Sequence, residues 1–335
     1  MTEPRDPSEE AASAGAIAVD PSAAPAPNTL VPESDDDADS PHLLEPDRIR
    51  AWRRPRAIFF VWLWELVCAL VVATPIHAWA LRVWGTHPDG DAVIFRPGGH
   101  ALLSWLGDDT PALAIVLRTS IVALLVFGVL GQLVTGALVA SLATGIGKYN
   151  RAPAMSFALR AGAAAFFPLL GIGLVFGAFE GFVLGVGLFA SSAVDHAVQG
   201  SLGDARAIDA RLGVLAIFVV LTLVVGVVAD LARVVVARDA ALRGDARPSV
   251  LVTMRAGVVT AILTAKRGLG RACFAWAWRA ALSLALLYAG ARAGDIVGGR
   301  GGGALWLLFF LHQLIVLARA ALRASWFANA LRLVG

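Results

Sequence analysis

Cysteine is almost absent: the 335 residues hold two, Cys68 and Cys273, each inside an apolar run. That excludes a disulfide framework and a cysteine zinc site. Charge is scarce as well, at 16% of residues, where a soluble domain usually carries about 25%. Only two of the 28 basic residues are lysine, Lys148 and Lys266. With abundant alanine, that arginine bias is a codon signature of a GC-rich bacterial genome, and nucleic-acid binding is not expected. GxSxG, HExxH and Walker-type phosphate loops are all missing, so the sequence offers no recognisable catalytic site. No enzyme activity and no cofactor are expected. His87, Asp89, Asp91, His100 and His196 invite a metal, but no two histidines share i, i+3 or i, i+4 spacing, so no metal site is assigned. No basic segment followed by an apolar run opens the chain, so no signal peptide is expected.

What is abundant is apolar surface. Hydrophobic residues make up 58% of the chain and the mean hydropathy is +0.71. Apolar runs fall at about 58–81, 112–142, 163–190, 212–236, 273–291 and 304–327. Each reaches the roughly 20 residues that cross a bilayer as a helix. The expected fold is therefore all-α, a polytopic transmembrane bundle of six spans over residues 48–335.

Charge asymmetry sets the expected orientation. Residues 1–47 carry a net −11, with the run Asp35-Asp36-Asp37, and the remainder carries +14. The tail is rich in Ala, Pro, Ser, Asp and Glu and is expected to be disordered. It is a solvated arm or a docking segment for a basic protein partner. RIRAWRRPRA at 48–57 abuts the first span, and bases recur at 143–157, 237–272 and after residue 318. The polar stretch 83–112 has only Arg96. Bases on alternate sides place both termini in the cytoplasm, in a bacterial inner membrane. Pro75 is expected to kink the outer end of the first span. Trp52, Trp62, Trp64, Trp79 and Trp84 lie near or within that span, as interfacial anchors do.

Two features concern helix packing. Gly173, Gly177, Gly181 and Gly185 are four apart, which makes one bare ridge on a helix. Such small-xxx-small stripes let helices approach closely, within a chain or between copies. Segment 249–265 places Val250, Met254, Val258 and Ile262 on one face and has Arg247, Lys266 and Arg267 at its ends. It reads as a helix in the cytoplasmic interface, or as a cytoplasmic helix packed on the bundle.

ALRAGAAAF at 158–166 matches TMRAGVVTA at 253–261, and DLARVVVAR at 230–238 matches VLARAALRA at 316–324. These pairs suggest parallel helical-hairpin repeats, three hairpins in all. The stretch 230–262 runs from Asp-x-Ala-Arg through a charged turn to a serine-led amphipathic helix with Arg-x-Gly. In this it resembles uncharacterised bacterial six-span proteins that include membrane-domain relatives of glycerophosphodiester phosphodiesterases. The resemblance implies the span layout. It carries no catalytic residues, because the phosphodiesterase domain has no room here.

Ionisable groups within the spans each need a partner or a role. Depth matching pairs Glu65 with Arg279 and Arg118 with Glu180. Alternatively, Arg279 snorkels and leaves Glu65 to Gln132. Asp230 stands one turn before Arg233, and His312 and Gln313 fall near the middle of the last span. Two roles stand open. The groups fasten the helices of a scaffold or accessory membrane component, or they form a proton or cation pathway in a small transporter. A third role, an intramembrane enzyme acting on lipid, has only the family resemblance behind it.

Overall fold

A computed structural model of the chain describes residues 41–84, 110–202, 204–243, 249–297 and 303–335. Six long helices carry the fold: α1 Pro55–Trp84, α2 Thr110–Ala143, α3 Met155–Leu202, α4 Asp204–Arg243, α5 Val250–Val297 and α6 Gly303–Val334. Each contains a stretch long and apolar enough to cross a membrane, as the six apolar runs require. The chain is a multi-pass helical membrane protein.

The helices outrun the apolar runs. Residues 191–211, expected as a loop, are helical on both sides of residue 203, and Asp195 meets Arg211 across the two helices at 3.5 Å. No proline interrupts that stretch, so the helical ladder continues beyond the apolar core. Helix α1 likewise runs through Pro75 and α3 through Pro168. Membrane helices tolerate proline because neighbouring groups re-satisfy the freed carbonyls. Thr74, Thr119, Thr135, Thr144, Thr222 and Thr253 each donate a hydroxyl to the carbonyl four residues back. Their polar groups therefore need no water.

The helices form three antiparallel hairpins, α1–α2, α3–α4 and α5–α6. The returning helices α2, α4 and α6 touch one another and make an inner triangle. Each outgoing helix is wedged between two of them: α1 between α6 and α2, α3 between α2 and α4, α5 between α4 and α6. The two matched sequence stretches occupy equivalent joints. A Cβ at Gly162 of α3 would stand 2.7 Å from the Leu133 carbonyl of α2. A Cβ at Gly257 of α5 would stand 2.6 Å from Val236 and 3.3 Å from the Ala232 carbonyl of α4. In both, the glycine of Arg-Ala-Gly lets an outgoing helix rest on the backbone of the preceding returning helix. Ala57 and Val61 of α1, both buried, face the interior where the ring closes against α2 and α6.

The core sits at one end of the bundle. Buried residues crowd into 134–144, 227–237 and 320–331, with Leu169 and Ile172 of α3 beside them. That end is capped by a two-stranded antiparallel sheet, β1 Pro41–Leu43 against β2 Thr144–Ile146. Arg54, 4% exposed, donates to the Thr144 carbonyl at 2.6 Å and to the Asn150 carbonyl at 3.4 Å. Burial and the neighbouring Arg53 lower its pKa from the ordinary arginine value. The folded unit begins at Pro41, ahead of the boundary at 47 drawn from composition. Leu44 and Ile49 are already buried in it. The disorder expected for the acidic tail falls mostly on residues 1–40, outside the described residues.

Helix α5 changes direction at Gly268, whose φ of −161° and ψ of 32° break the helical run. Its first part, 250–267, is the amphipathic segment seen in the sequence. Thr253, Gly257, Ala261 and Ala265 form the buried face, and Met254 and Val258 pack beside them. Met254 lies against Gly171 of α3. Val250 and Ile262, expected on that same face, are exposed, because the small residues one position away allow the closer approach. Leu251, Val252, Val259 and Leu263 also remain outside, with Arg255, Lys266 and Arg267.

The glycine ridge does not pack as expected. Gly173 faces Gln132 and Arg233, but Cβ atoms at Gly177, Gly181 and Gly185 would meet nothing within 4 Å. The outer half of α3 instead approaches α4 through Gly187, where a Cβ would collide with Phe218. Helices α2 and α3 diverge there, and side chains along 117–130 of α2 are mostly exposed. Among the described residues nothing closes on Gly177, Gly181 or Gly185.

Candidate functional site: a polar layer within the bundle

Each returning helix carries two polar side chains one turn apart at the level where the core ends. These are Gln132 and Thr135 on α2, Asp230 and Arg233 on α4, and Arg323 and Trp326 on α6. Spacing of i, i+3 puts both members of a pair on one face; Thr135 and Trp326 are buried, Gln132, Asp230 and Arg233 half-buried, and Arg323 exposed.

The pairs are joined across helices. Asp230 Oδ1 accepts from Arg233 Nη1 at 2.7 Å, and its Oδ2 accepts from Trp326 Nε1 at 3.0 Å. Arg323 Nη2 donates to Thr135 Oγ1 at 3.1 Å. Arg323 Nη1 lies 3.8 Å from Glu65 Oε1 on α1. Gln132 and Arg233 flank Gly173 of α3, 3.6 and 3.8 Å from where its Cβ would be. One connected layer thus touches α1, α2, α3, α4 and α6.

Glu65 therefore pairs with Arg323 and not with Arg279. Depth matched Glu65 to Arg279, but α1 packs on α6, and α5 packs on the other flank of α6. Arg279 donates through Nε to Ser325 Oγ at 3.1 Å and through Nη1 to the Ala275 carbonyl. Its guanidinium also lies 4.5 Å from the Trp278 ring. Arg319 reciprocates along the same seam, donating through Nε to Ser283 Oγ at 3.0 Å.

Arg118 and Glu180 do not pair either. Arg118 is exposed on the diverging half of α2, whereas Glu180 faces α4. Glu180 Oε1 lies 3.4 Å from a Cβ position at Gly226, within electrostatic reach of Arg233 and Asp230. Among the described residues Glu180 makes no hydrogen bond or ion pair. His312 stands apart from the layer: Nδ1 lies 2.9 Å from the Leu308 carbonyl of its own helix, and the ring faces Gly290 of α5. Gln132 donates to the Gly128 carbonyl at 3.3 Å, while its Oε1 and the Nε of Arg233 are buried without partners.

Sequence reasoning missed Thr135, Arg319, Arg323, Ser325 and Trp326 as parts of these contacts. A signal was available for the arginines, since Arg319 and Arg323 repeat at i, i+4 in an apolar run. They had been counted as end-of-span bases. Among the described residues no group of three His, Cys, Asp or Glu could hold a metal ion. His87, Asp89, Asp91 and His100 lie outside the described residues. A groove on α4 is lined by Ala216, Ile217, Val220 and Leu221, none of them polar. Comparison with protein families, characterised proteins and solved structures returns no match.

Proposed function

We propose that the chain is a non-catalytic scaffold or accessory component of a bacterial inner membrane, with both termini cytoplasmic. The observation that supports this most is Asp230. Both its oxygens are engaged, one by Arg233 and one by Trp326 of another hairpin. A carboxylate so held has its charge balanced by Arg233 and a donor on each oxygen, and it fastens the third hairpin to the second. Glu65 forms a longer ion pair with Arg323, at 3.8 Å through one oxygen. The placing of the termini inside rests on the arginine-rich end that holds Arg54 and the last turn of α6. In this orientation the outer face of helix 250–267 lies in the lipid interface, apolar side toward the acyl chains. Kinship with the membrane-domain relatives of glycerophosphodiester phosphodiesterases is part of the same proposal, and concerns layout only.

A second function, proton or cation transport, is favoured by Glu180 and by the unpartnered Gln132 Oε1 and Arg233 Nε. Proteoliposomes carrying the purified chain and a pH-sensitive dye separate the two. The scaffold function gives dye traces equal to empty liposomes under proton and cation gradients. A flux that Glu180→Gln or Asp230→Asn abolishes would establish transport instead.

A further inference from the structure

We propose that the α5–α6 seam near the arginine-rich end binds the phosphate headgroup of an anionic phospholipid, held by Arg279 and Arg332 with Ser325 and Asn329. The inference needs the chain to lie in a membrane but not the scaffold function.

Four observations carry it. First, positive charge is uncompensated there. Arg279 sits eight residues beyond Arg271, about 12 Å along α5 at 1.5 Å per residue, yet no carboxylate among the described residues pairs with it or with Arg332. Intramembrane arginines are otherwise found paired or lining a polar cavity. Second, the two guanidiniums lean toward each other along the seam. Arg279 folds back toward the Ala275 carbonyl, which points it to the arginine-rich end. Arg332 folds back to the Ala328 carbonyl at 3.3 Å, which on the oppositely running α6 points it into the membrane. Arg332 is the charge that Arg279 senses. Two like charges brought together in apolar surroundings are stabilised by an anion between them.

Third, donors remain. Arg279 uses Nε and Nη1, and Arg332 uses Nε alone, so Nη2 of the first and both Nη groups of the second are free of protein partners among the described residues. Planar guanidinium forks match phosphate oxygens. Asn329 lies on the same face of α6, one turn from Ser325 and one from Arg332. Fourth, the flank is apolar and exposed. Phe274 is 73% exposed and Trp278 44% exposed, one turn apart on α5. The site therefore opens sideways to acyl chains, and the Trp278 ring, 4.5 Å from the Arg279 guanidinium, lies on that flank. A free phosphate would use the guanidiniums and leave that flank empty.

The test is the melting temperature of the full chain in zwitterionic detergent. Phosphatidylglycerol, phosphatidylcholine and inorganic phosphate are titrated separately, and bound lipid is counted by native mass spectrometry. A ligand that binds the folded state raises the melting temperature by mass action. Phosphatidylglycerol is expected to raise it and to remain bound, with phosphatidylcholine and inorganic phosphate inert. Arg332→Gln is expected to weaken phosphatidylglycerol binding about fivefold, the worth of one arginine at a lipid surface. Arg279→Gln should weaken it at least as much, and Arg118→Gln, on the other half of the bundle, should leave it unchanged. Arg332 bonds only its own helix, so Arg332→Gln keeps the fold even if Arg279→Gln does not. Equal stabilisation by phosphatidylcholine or by inorganic phosphate would overturn the proposal, as would unchanged phosphatidylglycerol binding in Arg332→Gln.

Discussion

Asp230 links two other members of the polar layer, Arg233 and Trp326. Removing its charge leaves the half-buried Arg233 with only Glu180 within electrostatic reach and Trp326 without a charged acceptor. Losing hydrogen bonds to a charged group costs about 1.5–3 kcal/mol. Asp230→Asn should therefore lower unfolding stability in detergent by that order, measured by thermal or denaturant unfolding. Trp326→Phe removes one hydrogen bond to a charged group and should cost about 1.5–3 kcal/mol. The Asp230–Arg233 contact was legible in the sequence because i, i+3 spacing alone brings it about. Trp326 was not, since 96 residues separate it from Asp230 and only the packing of α6 on α4 joins them. Glu65 shows the same limit. Its depth was legible and pointed to Arg279, but depth does not identify the neighbour of α1, which is α6 with Arg323.

At the level of elements, glycine acts in two ways. Gly162 and Gly257 set the spacing between an outgoing helix and the returning helix before it, so Gly162→Ala and Gly257→Ala each force a backbone apart. Overpacking of this kind costs about 1–3 kcal/mol, and both variants should melt earlier. Gly181→Ala meets open space and should be neutral or gain up to about 1 kcal/mol from helix propensity. The four-residue glycine spacing was plain in the sequence, but spacing does not say whether a neighbour is present, and here α2 has turned away. The Arg-Ala-Gly match, by contrast, marked the joints that do pack. The kink in α5 was also foreshadowed, since the apolar pattern of 249–265 stops before the basic run Lys266-Arg267. Across elements, Glu65 and Arg323 should couple. A double-mutant cycle with Glu65→Gln and Arg323→Gln is expected to give about 0.5–2 kcal/mol, within the range found for contacting groups. Additive effects would mean the pair contributes no fastening.

For the whole molecule, the six apolar runs matched the six long helices among the described residues, because a bilayer-length apolar stretch has few other uses. The three-hairpin arrangement was only hinted at, since short matches in a chain rich in alanine, arginine and glycine also arise by chance. The inner triangle of α2, α4 and α6 depends on contacts between hairpins, which no local pattern encodes. Its consequence is a molecule held at one end by a packed core and, just above it, by a polar layer in which Asp230 joins Arg233 of its own helix to Trp326 of α6 and Arg323 reaches Thr135 and Glu65. Whether water reaches that layer distinguishes fastening from transport. The direct measurement uses a chain with Cys68 and Cys273 replaced by alanine and a single cysteine at Gln132 or at the exposed Tyr149, probed in membranes with a membrane-impermeant maleimide. The fastened bundle predicts rapid labelling at 149 in opened vesicles and none at 132 from either side. Labelling at 132 at a rate close to that at 149 would contradict it.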